Sequence, residues 1–277
     1  MYKTLLHYQV LKNRTMETII EGAYETLKEA AQGLKQAEID EYIVIGGWCP
    51  YLNRGDFFHP GTIDVDILFM HANENGYLKR YIECMMEKDY FTSAKHLFQL
   101  LTIKEIKDKK FCFNIDLLHT EPTIEESGLF VDHLDLNVLM TKAEQRKIKI
   151  LSIVQKEAEI LFTESMFTRH TIDDDLDIKI VDFTGMFITK AISCQKVKRD
   201  RDSYDIYLGF VQNKIDIEKV LRIASIPGQV KVAIDSFRKF LKKEQQTFNN
   251  RVKLFDKTIK GSPAQFILSE FDKYDAK

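Results

Sequence analysis

The chain has 277 residues, 44% of them hydrophobic and 30% charged, with only 12 Gly and 5 Pro. That balance excludes a disordered, collagenous or linker-like polymer, and at roughly 100–200 residues per domain the length suits two domains. The 40 basic and 42 acidic residues leave a net charge of −2, which excludes a uniformly basic nucleic-acid coat but leaves room for a local basic face.

Taken in order, residues 15–39 predict a helix, because Ile19, Ile20, Ala23, Leu27, Ala30, Ala31 and Leu34 recur at helical spacing. YIVIGG follows as a short strand ended by two glycines, and GWCPYLNRG suits a short helix or a turn. HPGTIDVDILF is a strand and residues 74–88 a helix. LFQLLTIKEI and KFCFNIDLLH flank a polar DKK and predict a hairpin. The segment 121–180 shows no clear pattern; ILFTESMFTRHTI reads as strand or irregular. From residue 183 helices dominate, over 183–198, 203–211, 216–225 and 229–255. The expectation is an α+β protein, with helix and strand alternating around one sheet in residues 1–125 and a mainly helical part over 126–277.

The four cysteines, Cys49, Cys84, Cys112 and Cys194, form no CxxC pair and read as free buried thiols. No apolar run reaches the ~18–20 residues of a membrane span, and the first residues lack a signal-peptide core, so a reduced, cytoplasmic protein away from membranes is expected. The histidines show no HxH or HxxxH grouping, which argues against zinc. Neither a P-loop nor a GxSxG elbow occurs.

Alternation in TIDVDILF puts Asp64 and Asp66 on one face of a strand, and Ile63, Val65 and Ile67 on the other. Two like charges on neighbouring same-face positions repel unless a cation neutralises them, and Mg²⁺ favours carboxylate and phosphate oxygens. In FCFNIDLLH the same alternation turns Phe111, Phe113, Ile115 and Leu117 one way, and Asp116 the other with Cys112 and Asn114. Three acids on the polar face of one sheet suit a two-metal site for phosphoryl displacement. Gly46 and Gly47, at a strand end leading towards a helix start, let backbone N–H groups approach phosphate, and Thr62 lies where its hydroxyl can hold a phosphate oxygen.

IGGWCPYL, GTIDVDILF and FNIDLL together resemble the nucleotidyltransferase superfamily, whose fold is that of DNA polymerase β. ITKAISCQKVKRDRDSYDIYLGF resembles the corresponding stretch of the AbiEii/AbiGii toxin-like nucleotidyltransferases. Both segments span roughly residues 42–210. Sixteen residues separate Gly47 from Asp64, longer than the family's usual interval, and His59-Pro60-Gly61 stands where an Arg or Ser is common. The resemblance implies a polymerase β-like core over 1–125 and a helical domain over 126–277 that completes the nucleotide site. It implies metal ligation by Asp64, Asp66 and Asp116, with Asp116 helping to deprotonate the incoming hydroxyl. It assigns triphosphate binding to Gly46 and Gly47, with Thr62, and places Lys190 against the nucleotide, with Asp205 and Asp202 as the acids of the RDxYD stretch. The implied substrates are an NTP with two Mg²⁺ ions and an RNA acceptor, in its finer form a tRNA end, in a toxin–antitoxin pair with a cognate antitoxin.

Several features keep plainer readings beside these. In a helix over 183–198, Lys190, Cys194 and Val197 share a face, so Lys190 is either a phosphate contact or a surface lysine. Asp205 is also placed to pair with Arg201 at i to i+4. Tyr204 and Tyr207 suit packing. Residues 219–260 hold eleven Lys/Arg against three Asp/Glu, which suits either an RNA backbone or a solvated helix over a stripe of Val232, Phe237, Phe240 and Leu241. Asp173, Asp174, Asp175 and Asp177 read as a solvated turn, and His59 as a loop histidine or a nucleotide contact. The alternative functions are transfer to a small molecule of the antibiotic type, and nucleotide or RNA binding without catalysis.

Overall fold

The computed structural model describes residues 16–70, 77–93, 96, 98–120, 131–136, 148–154 and 156–275, with backbone alone for 131–136, 148–154 and 156–157. The first helix, α1 (Ile19–Gln36), starts at a capping box: the Glu21 N–H donates to the Thr18 hydroxyl at 3.1 Å and the Thr18 N–H donates to the Glu21 carboxylate at 3.1 Å. Its buried stripe of Ala23, Leu27, Ala30, Ala31 and Leu34 follows the predicted spacing, but Ile19, expected on it, is exposed and Ile20 half-buried at the first turn.

Next come β1 (Tyr42–Ile45), α2 (Trp48–Leu52), β2 (Asp64–Phe69), α3 (Tyr77–Met86), β3 (Phe91–Thr92), β4 (Gln99–Ile106) and β5 (Lys109–His119). The strands β6 (Val131–Leu136) and β7 (Ile148–Val154) follow. A single 3₁₀ turn leads to α4 (Ile160–Thr163), then β8 (Phe167–Asp173) and β9 (Leu176–Val181). All described strands join one sheet, in the order β3-β4-β5-β2-β1-β9-β8, with β7 beside the end of β5 and β6 beside β7. The sheet is mixed: β2 runs parallel to β5, β1 to β9 and β5 to β7, and the other pairs are antiparallel. It draws strands from both sides of residue 125.

The apolar face is fixed by alternation. Val65, Ile67, Phe113, Ile115 and Leu117 are buried, and α1 covers them so closely that a side chain at Gly22 would come within 2.5 Å of the Phe113 ring. Asp64, Asp66, Asn114 and Asp116 therefore face away from α1. Ile63 does not take the position expected of it: it precedes the strand and is 49% exposed.

The remaining chain is helical: α5 (Phe183–Ser193), α6 (Asp200–Val211), α7 (Ile217–Ala224), α8 (Gln229–Lys243), α9 (Gln245–Phe255) and α10 (Pro263–Asp275). Phe187 of α5, Phe210 of α6, Phe237 of α8 and Phe271 of α10 meet in one aromatic cluster, with ring centroids 5.2–6.2 Å apart. The stretch 229–255 expected as one helix is two, parted at Glu244, whose φ of −120° and ψ of 37° leave the helical region. In that stretch Phe237 and Leu241 are buried, whereas Val232 is 57% exposed and lies off the stripe. A helix beyond residue 255 was not legible in the pattern; α10 opens with Pro263 and is capped by the Ser262 hydroxyl, which accepts from the Gln265 N–H at 3.2 Å. The cysteines are free, but only Cys49 and Cys194 are buried; Cys84 is half-buried and Cys112 exposed on the polar face of β5. No helix among the described residues is long and apolar enough to cross a membrane.

Candidate active site

The acids sit where two parallel strands run side by side. Asp66 lies opposite Asp116, and Asp64 opposite Asn114. Neighbouring strands are about 4.8 Å apart, so the carboxylates of Asp66 and Asp116 are direct neighbours, with Asp64 one step along β2. All three side chains are partly buried. Burial first, and the negative charges of Asp64 and Asp116 second, push the Asp66 carboxyl up to about 8, against the pull of Lys190 and Arg201. Burial also raises Asp116, opposed by hydrogen bonds from Asn114 and Gln99. The carboxylates are not closed around one point: Asp64 Oδ1 accepts from the Thr62 hydroxyl at 2.6 Å, and Asp116 Oδ1 accepts from the Asn114 amide at 2.6 Å. Among the described residues no three His, Cys, Asp or Glu side chains are gathered so as to hold a metal ion.

Gly46 and Gly47 lie at the end of β1, against these acids. Gly46 has φ of +80°, and a Cβ there would lie 2.2 Å from Asp66 Oδ2. A Cβ on Gly47 would lie 2.9 Å from Thr62 Oγ1 and 3.1 Å from Arg201 Nη2. The turn thus packs its backbone directly against a carboxylate, a hydroxyl and a guanidinium. Trp48, the first residue of α2, donates its indole N–H to the Asp64 carbonyl at 2.9 Å and locks the turn to the start of β2.

Lys190 is buried in α5 and points at α6. Its ammonium pairs with Asp205 and lies 3.2 Å from Asp202. Burial disfavours the charged ammonium, but Asp205 and Asp202 outweigh it and raise the pKa. Burial likewise opposes the Asp205 carboxylate, and Lys190, His59 and Arg201 reverse this to lower its pKa. Arg201 approaches Asp205 at 3.9 Å, the i to i+4 pairing its spacing allows, and also donates to the Gly61 carbonyl at 3.1 Å. Val197 does not share the face of Lys190 and Cys194, because α5 ends at Ser193 and Val197 is 82% exposed. The acids Asp64, Asp66 and Asp116, the glycines and Thr62 form one group. Lys190, Asp202 and Asp205 form a second, joined to the first through Arg201 and His59.

Three side chains of this arrangement carried no site role in the sequence pattern. Arg201 was legible only as a partner of Asp205. Asn114 was visible as a neighbour of Asp116 on the polar face. Trp48 gave no signal, since an indole in a turn is ordinarily packing. Tyr204 packs, as its spacing suggests, against the rings of His59 and Phe255. The acidic run ends in the β8–β9 turn, where Asp173 meets Lys28 at 2.5 Å and Asp175 meets Lys35 at 3.1 Å.

No family model matches this sequence. No curated protein matches it either. Solved structures similar to this chain include the following two. JHP933 from Helicobacter pylori is 12% identical, with a TM-score of 0.47, covering 95% of this chain and 97% of its own. An antigenic nucleotidyltransferase-like protein from Paracoccidioides brasiliensis is 13% identical, with a TM-score of 0.39, covering 84% of this chain and 93% of its own.

Proposed function

We propose that this protein is a divalent-metal-dependent nucleotidyltransferase that moves an NMP from an NTP to a hydroxyl acceptor and releases pyrophosphate. The observation that carries the reading is the register of β2 against β5, which sets Asp64, Asp66 and Asp116 side by side beneath the Gly46–Gly47 turn. The residues fit a hard cation: the donors are carboxylate oxygens, and the Asp66 carboxyl is raised first by burial and then by the negative charges of Asp64 and Asp116. Mg²⁺ also keeps substrate phosphates and water among its ligands, so it does not need three protein carboxylates gathered in advance. Asp64, Asp66 and Asp116 would hold it, and when bound it supplies countercharge to the phosphoryl oxygens.

The chain's own groups do the rest. Gly46 and Gly47 present backbone to the triphosphate, Arg201 Nη2 beside Gly47 is a donor, and Thr62 turns its hydroxyl from Asp64 to reach a phosphate oxygen. Asp116 takes the proton of the acceptor hydroxyl at its carboxylate, and its raised pKa brings it nearer to the proton it accepts. Lys190 balances Asp205 and Asp202 and adds a favourable field at Asp66.

For the acceptor we propose RNA, in line with the toxin-like resemblance and with the eleven Lys/Arg of residues 219–260. A tRNA end and a cognate antitoxin are the finer forms of that proposal. The test incubates the protein with each labelled NTP, Mg²⁺ and total RNA, beside an Asp64→Asn, Asp66→Asn variant. Label in RNA from the wild type alone is expected. Equal labelling by both proteins removes the metal role of the acids, and no labelling with any NTP rejects transfer to RNA.

A further inference from the structure

The loop leading into β2 contains a histidine that its neighbours do not prepare for. Phe58 and Pro60 are exposed, whereas the His59 side chain is fully buried. Both its ring nitrogens are used. Nδ1 accepts the Gly61 N–H at 3.0 Å, and Nε2 lies 2.9 Å from Asp205 Oδ1. A nitrogen that accepts holds no proton, so Nε2 carries it and donates to Asp205, and the imidazole is the neutral tautomer. The ring stacks against Tyr204 at 6.3 Å and meets the edge of Tyr51 at 5.8 Å.

We infer that His59 is a positioning residue: it couples the buried Lys190–Asp205 pair to the Gly61–Asp64 segment and so sets where Thr62 and the Asp64 carboxylate lie. Asp205 spends one oxygen on Lys190 and the other on His59, so the charge pair fixes the ring and the ring fixes the Gly61 N–H. Gly61 needs that hold, since its φ of +87° is a bend, and its carbonyl is tied in turn by Arg201. One residue further on, Thr62 donates to Asp64. A neutral ring makes this link without adding charge to a cluster in which Lys190 and Arg199 face Asp202 and Asp205. The role of Asp64 in metal binding rests on the proposed function; the mechanical link from Asp205 to Asp64 does not.

The chain's one tryptophan provides the readout. Trp48 is buried, bonded to the Asp64 carbonyl, and packed edge-on to Tyr51 at 5.7 Å, so its emission reports the position of the segment His59 holds. The test compares wild type, His59→Asn, His59→Gln and a distant core variant, Phe237→Leu, by Trp48 emission, Mn²⁺ affinity and melting temperature. Asn keeps an acceptor near the Gly61 N–H but does not reach Asp205, whereas the longer Gln amide does. His59→Asn is expected to shift Trp48 emission and weaken Mn²⁺ binding on the order of tenfold, as loss of a group that orients a metal ligand does. His59→Gln should recover most of both, and Phe237→Leu should change neither despite its lower melting temperature. Wild-type emission and affinity in His59→Asn overturn the inference, and so does an equal shift in Phe237→Leu. A wild type that binds no Mn²⁺ rejects the proposed function, and the emission comparison then still decides the His59 link.

Discussion

Asp66 is governed first by burial and second by the charges of Asp64 and Asp116. Its carboxyl, pushed up to about 8, binds a proton more tightly in the folded protein than in the unfolded chain. Such a group contributes most where it is protonated, so the metal-free fold loses stability as pH rises from the ordinary carboxylate range towards 8. Scanning calorimetry in EDTA should show a melting temperature that falls between about pH 5 and pH 8, with a flatter profile in Asp66→Asn. Added Mg²⁺ should raise the wild-type melting temperature more at the upper end of that window; a uniform rise across it argues against ligation by this carboxylate. Gly46 offers a second check. Alanine there would adopt φ of +80° and drive its Cβ into Asp66 Oδ2, so Gly46→Ala should cost about 1–2 kcal/mol in urea melts and lose nucleotide incorporation. The acids were legible because a period of two assigns each one a face without knowledge of the fold. His59 was not: its partner Asp205 lies 146 positions away, and nothing local distinguishes a buried loop histidine from an exposed one.

At the level of elements, the hairpin β4–β5 was legible from its two apolar runs, and its turn carries a correctable strain. Lys107 and Asp108 both have positive φ, 47° and 61°, the backbone of a type I′ turn, which prefers Asn-Gly. Lys107→Asn with Asp108→Gly is therefore expected to stabilise the fold by about 1 kcal/mol, read as a higher urea midpoint with an unchanged slope. An unchanged midpoint would mean that the turn is already relaxed by its neighbours. The β8–β9 hairpin escaped the pattern for a physical reason: β8 is the last strand of the sheet, half-exposed, and Thr168, Arg169 and His170 show no apolar alternation. The break between α8 and α9 escaped it as well, because no Gly or Pro stands near Glu244 to mark it.

Across the whole molecule, the site depends on a return of the chain that no local pattern encodes. Strand register gathers the acids from residues 64–116, and α5 and α6 bring Lys190, Arg201 and Asp205 back against the loop that precedes them. The basic segment beyond them has a split character. Several of its charges are engaged within the fold: Arg222 with Glu164, Lys231 with Asp235, Arg238 with Asp275, and Arg251 with Asp200. Lys239, Lys242 and Lys243 are exposed and line one shallow depression of α8. If RNA is the acceptor, these three lysines are the side chains best placed to meet its phosphates, and their contribution should depend on salt through counterion release. Reversing all three, Lys239→Glu with Lys242→Glu and Lys243→Glu, should reduce RNA labelling and lower the salt slope of RNA binding by about 2 for a single strand. NTP and Mn²⁺ binding should stay as in the wild type, because none of the three touches the acids or the glycine turn. A variant that labels RNA normally at every salt concentration would place the RNA path elsewhere on the molecule, and one that loses NTP binding as well would mean that α8 shapes the site rather than the acceptor surface.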